Sequence, residues 1–387
     1  MVKAVGIDPG TYSMDIFGFD DETGKILVDE SIPRVKITER PDIVLEVLRK
    51  VDEKYGIDII VGPSGYGVPL KHGENLTDED IRYATFITLK DFERRLRIVG
   101  LRKLMKILKD NLGKKVWFCP GVLHLPTVPK YRKCNKIDMG TADKVFSVVA
   151  AIRDFYEEGV PLDNIDFILV EIGFAYNAVI GVEKGVIVDG IGGTYASIGY
   201  LGMGAMDAEL AYAIANSIDD FSKNVLFQGG AAYIAKVDPF NVSIEEFIKR
   251  AQSGEEKFRE AYEAFIEGIL KDIARMLVSV QYPKAIVLSG RFVRIKEFRE
   301  DLEDRLNRIL RRFNVECEIR EIKRRGKVCK EAAEGAAIIA NGIAGGVYRP
   351  IIEHMRLMES SGSIFDFICL SEDILRKIEE TFSKVPI

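Results

Sequence analysis

The chain opens with an apolar strand, Val2-Lys3-Ala4-Val5-Gly6-Ile7, that runs straight into Asp8-Pro9-Gly10-Thr11-Tyr12-Ser13 and out into a second apolar run, Ile16-Phe17-Gly18-Phe19. An acid, a glycine and two hydroxyls on a tight turn between strands restrict the fold more than any other segment does. Gly10 lets backbone N–H groups approach an anion, Thr11 and Ser13 bring hydroxyl donors, and Asp8 is suited to hold Mg²⁺ directly or through water. Such a turn suits a metal-bound phosphate. Asp, Pro, Gly and Thr are also common turn formers, so an ordinary hairpin is the competing reading of the same residues.

At 387 residues the chain exceeds what one core usually fills, so two domains with a cleft between them are expected. Hydrophobic residues make up 47% and charged residues 30% of the chain, and the net charge of -5 offers no general attraction to nucleic acid or anionic lipid. No uninterrupted apolar stretch reaches the roughly eighteen residues of a membrane span, and the N-terminus begins a strand instead of a signal segment; the expected location is cytoplasmic. The cysteines (Cys119, Cys134, Cys317, Cys329 and Cys369) include no CxxC pair, and with only His72, His124 and His354 beside them they suggest neither a disulfide framework nor a zinc site. Many Lys, Arg and Glu alongside only Gln228, Gln252 and Gln281 point compositionally to a thermophilic source.

Periodicity predicts strands at roughly 2–8, 14–20 and 25–30, a helix over 41–55 with Ile43, Val44, Val47, Leu48 and Val51 on one face, and a strand over Ile57–Pro63. An amphipathic helical stretch over 78–111, a short strand Val116–Cys119 and a helix Thr141–Glu157 follow. The plan then restarts: strand Phe167–Val170, turn Glu171–Asn177, strand Ala178–Val182, hairpin Glu183–Gly185 and strand Val186–Asp189, leading into Gly190-Ile191-Gly192-Gly193-Thr194. Helices at about 205–217 and 243–280, a strand Ala285–Gly290, a helix 296–313 and a strand near 315–322 complete the second half. Ala332–Ala344 is a helix of small residues, suited either to close contact at a hinge or interdomain crossing, or to a tightly buried core position. The tail 351–387 is amphipathic and carries no motif.

Together these segments resemble the actin-like ATPase superfamily, which includes acetate, butyrate and sugar kinases, actin and the heat-shock chaperone ATPase domain. Val5–Ser13 resembles its first phosphate motif, Val170-Glu171-Ile172-Gly173-Phe174-Ala175 lies where the second belongs, and Ile286-Val287-Leu288-Ser289-Gly290-Arg291-Phe292 resembles its adenosine motif. Thr141–Glu157 and Ala332–Ala344 take the places of its connecting helices, so the resemblance covers about residues 1–348. Glu331–Ala337 and Asp189–Gly193 are more narrowly similar to segments of an archaeal group described as predicted butyrate kinases.

The resemblance implies an α/β chain of two ribonuclease-H-like domains, each with a mixed five-stranded sheet, around a cleft that binds ATP and Mg²⁺. Domain boundaries are expected at 1–158 and 159–331, with helix 332–348 returning to the first domain and 349–387 forming a helical extension. The implied function is transfer of the γ-phosphate of ATP to a small carboxylate such as butyrate; a homodimer is compatible with it, and neither nucleic acid nor membrane is expected as partner. A partner-activating or chaperone-like ATPase and a non-catalytic ligand-binding protein are the competing readings of the same fold.

Phosphoryl transfer asks the protein mainly for positioning and charge neutralisation. On that basis Asp8 and Glu171 are the expected metal-holding acids, and Gly10, Thr11 and Ser13 the holders of β- and γ-phosphate oxygens. Glu171 also reads as a strand-end acid bonded to nearby backbone N–H groups. Asp143, with Lys144, either faces the acceptor or joins Thr141 in capping its helix. Gly173, Gly192, Gly193 and Thr194 read as phosphate or substrate loops, or for the last three as a glycine hairpin. Ser289, Gly290 and Arg291 would take the adenosine, with Arg291 stacking on the base or reaching a phosphate. Glu334 would touch ribose or metal, or form an interdomain salt bridge. Phe174 is expected to crowd a phosphate at the second motif. The basic run Lys323–Lys327 reads as a solvated turn or a phosphate-steering loop.

Overall fold

A computed structural model describes residues 1–94, 97–219 and 221–387. The chain forms two compact units, one from Met1–Ile165, Lys184–Val188 and Ile322–Ile387, the other from Asp166–Glu183 and Asp189–Glu321.

In the first unit, β1 (Lys3–Asp8), β2 (Ser13–Asp20) and β3 (Ile26–Pro33) form an antiparallel meander. The helix α1 (Ile43–Tyr55) buries Val44, Leu45, Leu48 and Val51 and stops at Gly56, whose φ of 71° is the left-handed value glycine favours. Next come β4 (Ile59–Val61), parallel to β1, and β5 (Lys71–His72). The stretch expected as one helix over 78–111 is broken into Asp78–Thr85, Leu89–Glu93 and Arg97–Leu112, and residues 95 and 96 lie outside the described residues. Phe86 turns left-handed at the first break, and Thr77 with Asp80, then Thr88 with Asp91, make two capping boxes that each begin a new helix. After β6 (Val116–Phe118) comes α2 (Ala142–Glu157).

The strands β7 (Phe167–Ile172), β8 (Asn177–Glu183), β9 (Val186–Ile191), β10 (Ala285–Ser289) and β11 (Glu318–Glu321) form a five-stranded sheet. The helix expected over 243–280 is two, α3 (Ile244–Gln252) and α4 (Glu256–Met276), because Gly254 takes a left-handed φ of 87° between them. The helix α5 (Lys296–Arg312) buries Phe298, Leu302, Leu306 and Leu310. The chain is back in the first unit by α6 (Glu331–Ile343).

The sheet orders are β3-β2-β1-β4-β6-β5 and β11-β10-β7-β8-β9. Both are mixed, as expected for the fold, but the first has six strands instead of five because Lys71–His72 pairs antiparallel with β6. All eight residues of β2 are buried, as suits a strand covered on both faces.

The small-residue helix α6 is a core element of the first unit, with all but one of its thirteen residues buried. It touches backbone on two sides. A Cβ on Gly6 of β1 would lie 2.5 Å from the Ala333 carbonyl oxygen, and one on Gly335 would lie 2.5 Å from the carbonyl carbon of Phe146 in α2. The C-terminal residues also pack into this unit: the Phe382 ring stacks on Phe86 at 4.0 Å between centroids, and buried Arg102 donates to the Pro386 carbonyl at 2.6 Å.

Helix propensity alone favours Ala over Gly inside a helix by about 1 kcal/mol. The backbone contact at Gly335 reverses that sign: Gly335→Ala is expected to destabilise the protein by roughly 1–3 kcal/mol in urea unfolding, the range for overpacking a filled core. A variant as stable as the parent would show that α6 and α2 have room to separate.

Candidate functional site

Asp8 ends β1, and the register of the hairpin sets it directly opposite Asp15 on β2. Two carboxylates facing one another across strands repel. Lys330, the residue before α6, answers both: its backbone N–H donates to Asp15 Oδ2 at 2.9 Å, and its Nζ is paired with Asp8 Oδ2. Asp15 is fixed in turn by the Ser31 hydroxyl, which donates to its Oδ1 at 2.6 Å. The other oxygen of Asp8, Oδ1, is buried and has no hydrogen-bond partner among the described residues. Burial, with the charges of Asp143 and Asp15 adding to it, outweighs Lys330 and pushes the Asp8 carboxyl up to about 7.

The turn above Asp8 closes tightly over the Lys330 side chain. Gly10 lies against the Lys330 ammonium, so closely that a Cβ there would overlap Nζ and come within 2.8 Å of the Ser13 carbonyl. Ser13 is buried at the start of β2, Thr11 is half-buried, and the Arg34 backbone N–H holds the Tyr12 carbonyl at 2.9 Å.

Asp143 belongs to the same cluster through its interaction with Lys330. Burial works to raise its carboxyl, but Lys144 Nζ at 2.6 Å, the Thr141 hydroxyl at 2.5 Å and the charge of Lys330 outweigh it, and the net direction is down. Thr141 occupies the N-cap position of α2, yet its side chain makes no capping bond; its hydroxyl is given to Asp143 instead. The structure thus brings Asp8, Gly10, Ser13 and Asp143 together around Lys330, while Thr11 joins them through the turn.

Glu334 is occupied elsewhere in the first unit. Its Oε1 accepts from the Arg325 and Gly326 N–H groups, both at 2.9 Å, and its Oε2 lies 3.4 Å from Arg153 Nη1. Burial raises its carboxyl, and these bonds offset only part of the rise. The basic run is pinned by acids: Lys323 N–H donates to Asp154 at 2.7 Å, Lys323 Nζ pairs with Glu158 at 2.7 Å, and Arg325 pairs with Glu157.

In the second unit, β7 and β10 pair so that Glu171 faces Ser289. Gly290, with φ of 100°, brings its Cα against the Ile172 backbone, where a Cβ would lie 2.7 Å from the carbonyl carbon. The second motif and the Ser289-Gly290-Arg291 turn are therefore neighbours. The Gly192–Thr194 loop joins them through Tyr176: a Cβ on Gly193 would lie 2.7 Å from Tyr176 Cβ, and the Gly173 N–H donates to the Tyr176 carbonyl at 3.1 Å. Gly192 accepts from the Tyr195 and Ala196 N–H groups, closing a tight turn after β9. Phe174 does not stand over this turn as expected. Its buried ring packs with Tyr200 at 5.5 Å and Phe240 at 5.7 Å, because an aromatic side chain gains more from that apolar cluster than from an exposed turn.

Sequence reasoning missed Lys330 and Asp15. The signal for Asp15 was present, since closing the Asp8–Ser13 turn as a hairpin sets positions 8 and 15 opposite each other. Mg²⁺ commonly takes one or two carboxylates and completes its shell with water and phosphate oxygens. Among the described residues no group of three or more His, Cys, Asp or Glu side chains is arranged to hold a metal ion by itself. Bare, buried Asp8 Oδ1 fits the single-carboxylate role.

The raised Asp8 carboxyl has a consequence for stability. The folded state binds this proton more tightly than the unfolded chain, whose value is near 3.8, so the associated stabilisation is complete below about pH 4 and is lost as pH climbs to about 7. The stability of the parent relative to Asp8→Asn should therefore fall from pH 4 to 7 and level off above. A difference independent of pH in urea melts would mean that Asp8 titrates as an ordinary carboxylate.

Among solved structures, the propionate kinase of Francisella tularensis subsp. tularensis SCHU S4 superposes with a TM-score of 0.61 at 11% identity, covering 87% of this chain and 98% of that one. The acetate kinase of Entamoeba histolytica gives 0.56 at 10% identity, with 79% and 87% covered, and that of Porphyromonas gingivalis 0.54 at 15%, with 78% and 86% covered. These likenesses establish the fold, which the chain shares with these acetate and propionate kinases. A comparison with curated proteins finds no match. Among the described residues no helix is long and apolar enough to cross a membrane. Residues 6–370 match the family described as "Protein of unknown function (DUF1464)", and the chain belongs to that family.

Proposed function

We propose that the protein is an ATP-dependent phosphotransferase that moves the γ-phosphate to a small carboxylate such as butyrate. The observation that carries this reading is the Asp8 site: a buried carboxylate with one bare oxygen, below a glycine turn against which a lysine ammonium rests. Its setting supports the acceptor class, because the chain shares its fold with proteins described as acetate and propionate kinases.

In this reading the backbone at Gly10 and the hydroxyls of Thr11 and Ser13 hold the β- and γ-phosphate oxygens, and Asp8 Oδ1 accepts from the hydration shell around them. Mg²⁺, when bound, neutralises phosphate charge and keeps the phosphates oriented; Asp8 is the acid of the first unit that would hold it. Asp143, kept ionised by Lys144 and Thr141, holds Lys144 near the phosphate turn, where the pair can orient a carboxylate acceptor. Ser289, Gly290 and Arg291 take the adenosine, and Gly173 with the Gly192–Thr194 loop takes phosphate or substrate. Glu334 acts by holding the 325–326 backbone in place. The carboxylate attacks phosphorus, the bond from the γ-phosphate to ADP breaks, and an acyl phosphate leaves with ADP.

Acyl phosphates are trapped by hydroxylamine as hydroxamates, which gives a direct assay. With ATP and Mg²⁺, butyrate or a neighbouring short-chain acid should yield hydroxamate, and Asp8→Asn should reduce the rate roughly 10²-fold or more while the variant remains folded. Calorimetry with a non-hydrolysable ATP analogue should show micromolar binding, about -8 kcal/mol. Absence of both binding and hydroxamate across acids of two to six carbons would rule out this function.

A further inference from the structure

We propose that Lys330 is the cation that meets the phosphate at this site, with Asp8 and Asp15 as the positioning residues that aim it. This rests on the nucleotide reading above and names the group that recognises the phosphate charge.

The lysine is held at both ends. Its backbone N–H is bonded to buried Asp15 at 2.9 Å, and the three preceding N–H groups, those of Lys327, Val328 and Cys329, all donate to Asp29. Its side chain reaches back to Asp8, so the ammonium comes to rest against Gly10, where a Cβ would overlap it. The two members of the pair differ in access: the Lys330 side chain is 21% exposed and that of Asp8 is 1% exposed. An anion arriving at the turn meets the ammonium first and finds the carboxylate behind it.

A pair serving only to hold the fold together would satisfy both partners, because a buried ion pair is stabilising only when its remaining hydrogen-bonding capacity is filled. Here Asp8 Oδ1 is buried and bare. An ammonium carries three N–H donors and acts toward phosphate as a point charge. Contact with a phosphate oxygen exchanges one charge-assisted hydrogen bond for another and brings the positive charge onto the group being transferred.

The test is calorimetric titration in EDTA with a non-hydrolysable ATP analogue and, separately, with adenosine. The proteins compared are the parent, Lys330→Arg, Lys330→Met and the double variant Asp8→Asn/Lys330→Met. The analogue should bind at least tenfold more weakly to both Met-containing proteins, adenosine should bind all four alike, and Lys330→Arg should retain most of the parent's affinity. Should Lys330→Met fail to fold, the double variant, which leaves no lone buried carboxylate, carries the comparison. A folded double variant that binds the analogue as tightly as the parent overturns the role of Lys330. So does a parent that binds the analogue no better than adenosine, while the nucleotide reading survives both results. A parent that binds neither ligand, with or without Mg²⁺, overturns the reading and the lysine's role together.

Discussion

The contact of α6 with β1 at Gly6, and with α2 at Gly335, fixes what the first unit can build around its opening turn. At both points the helix meets backbone, so it has no side chain to compress and little freedom to slide. Gly6 and Asp8 are two residues apart on one strand and share a face. The helix that rests on Gly6 therefore brings the residue just before it, Lys330, to the end of β1 where Asp8 stands. Close packing of small residues and the chemistry of the turn are consequences of one arrangement, and a bulkier helix would carry Lys330 away from Asp8.

The approach to that helix is controlled by acids acting on backbone. Asp154 takes the Lys323 N–H, Glu334 those of Arg325 and Gly326, Asp29 those of 327–329, and Asp15 that of Lys330. Carboxylates that accept several N–H bonds lose much of the cost of burial. Asp29 shows the effect: partial burial works to raise its carboxyl, yet the N–H groups of the 327–329 segment lower it overall. Glu334, more deeply buried, stays raised despite its two N–H groups, and Asp8, which among the described residues receives one ammonium and no backbone N–H, is pushed up to about 7. A segment whose amides are held at nearly every residue has little slack, so the Lys330 side chain starts from a fixed point when it reaches over Gly10.

Local and periodic features were legible in the sequence. The meander, α1, the restart at Phe167 and the small-residue helix all follow from spacing, and order along the chain led to the fold that the acetate and propionate kinases share. The helix breaks near 86 and 254 were not read because each depends on a short signal inside a longer amphipathic pattern, Thr88 with Asp91 in one case and Gly254 in the other. In the candidate site, Asp8 and its turn stood out because turn chemistry is local. Lys330 did not, since its partner lies 322 positions away and nothing in residues 326–331 marks that lysine above Lys327. Phe174 misled for a related reason: its position in a motif suggested an outward ring, but the choice between turn and core is made by Tyr200 and Phe240, which come from distant segments.

The two sheets share one plan and differ in what they place at its centre. In each, the first strand pairs antiparallel with the second and parallel with the strand that follows the first crossover: β1 with β2 and β4, β7 with β8 and β10. The turn between the leading strands differs between the two sheets. After β1 that turn holds paired charges, Asp8 and Asp15 with Lys330, and little apolar bulk. After β7 it is braced by aromatic rings: Tyr176 packs against Phe227 and bonds the Leu226 carbonyl at 2.6 Å, and Phe174 packs into its cluster beyond. Fixed charges act most strongly where few waters compete, and the first turn holds a largely buried pair of them, Asp8 and Lys330. The second turn, with Glu171 beside Ser289 and Gly290 against Ile172, is stiff and close-fitting. That construction rests on close backbone contact, whereas the first turn rests on paired charges.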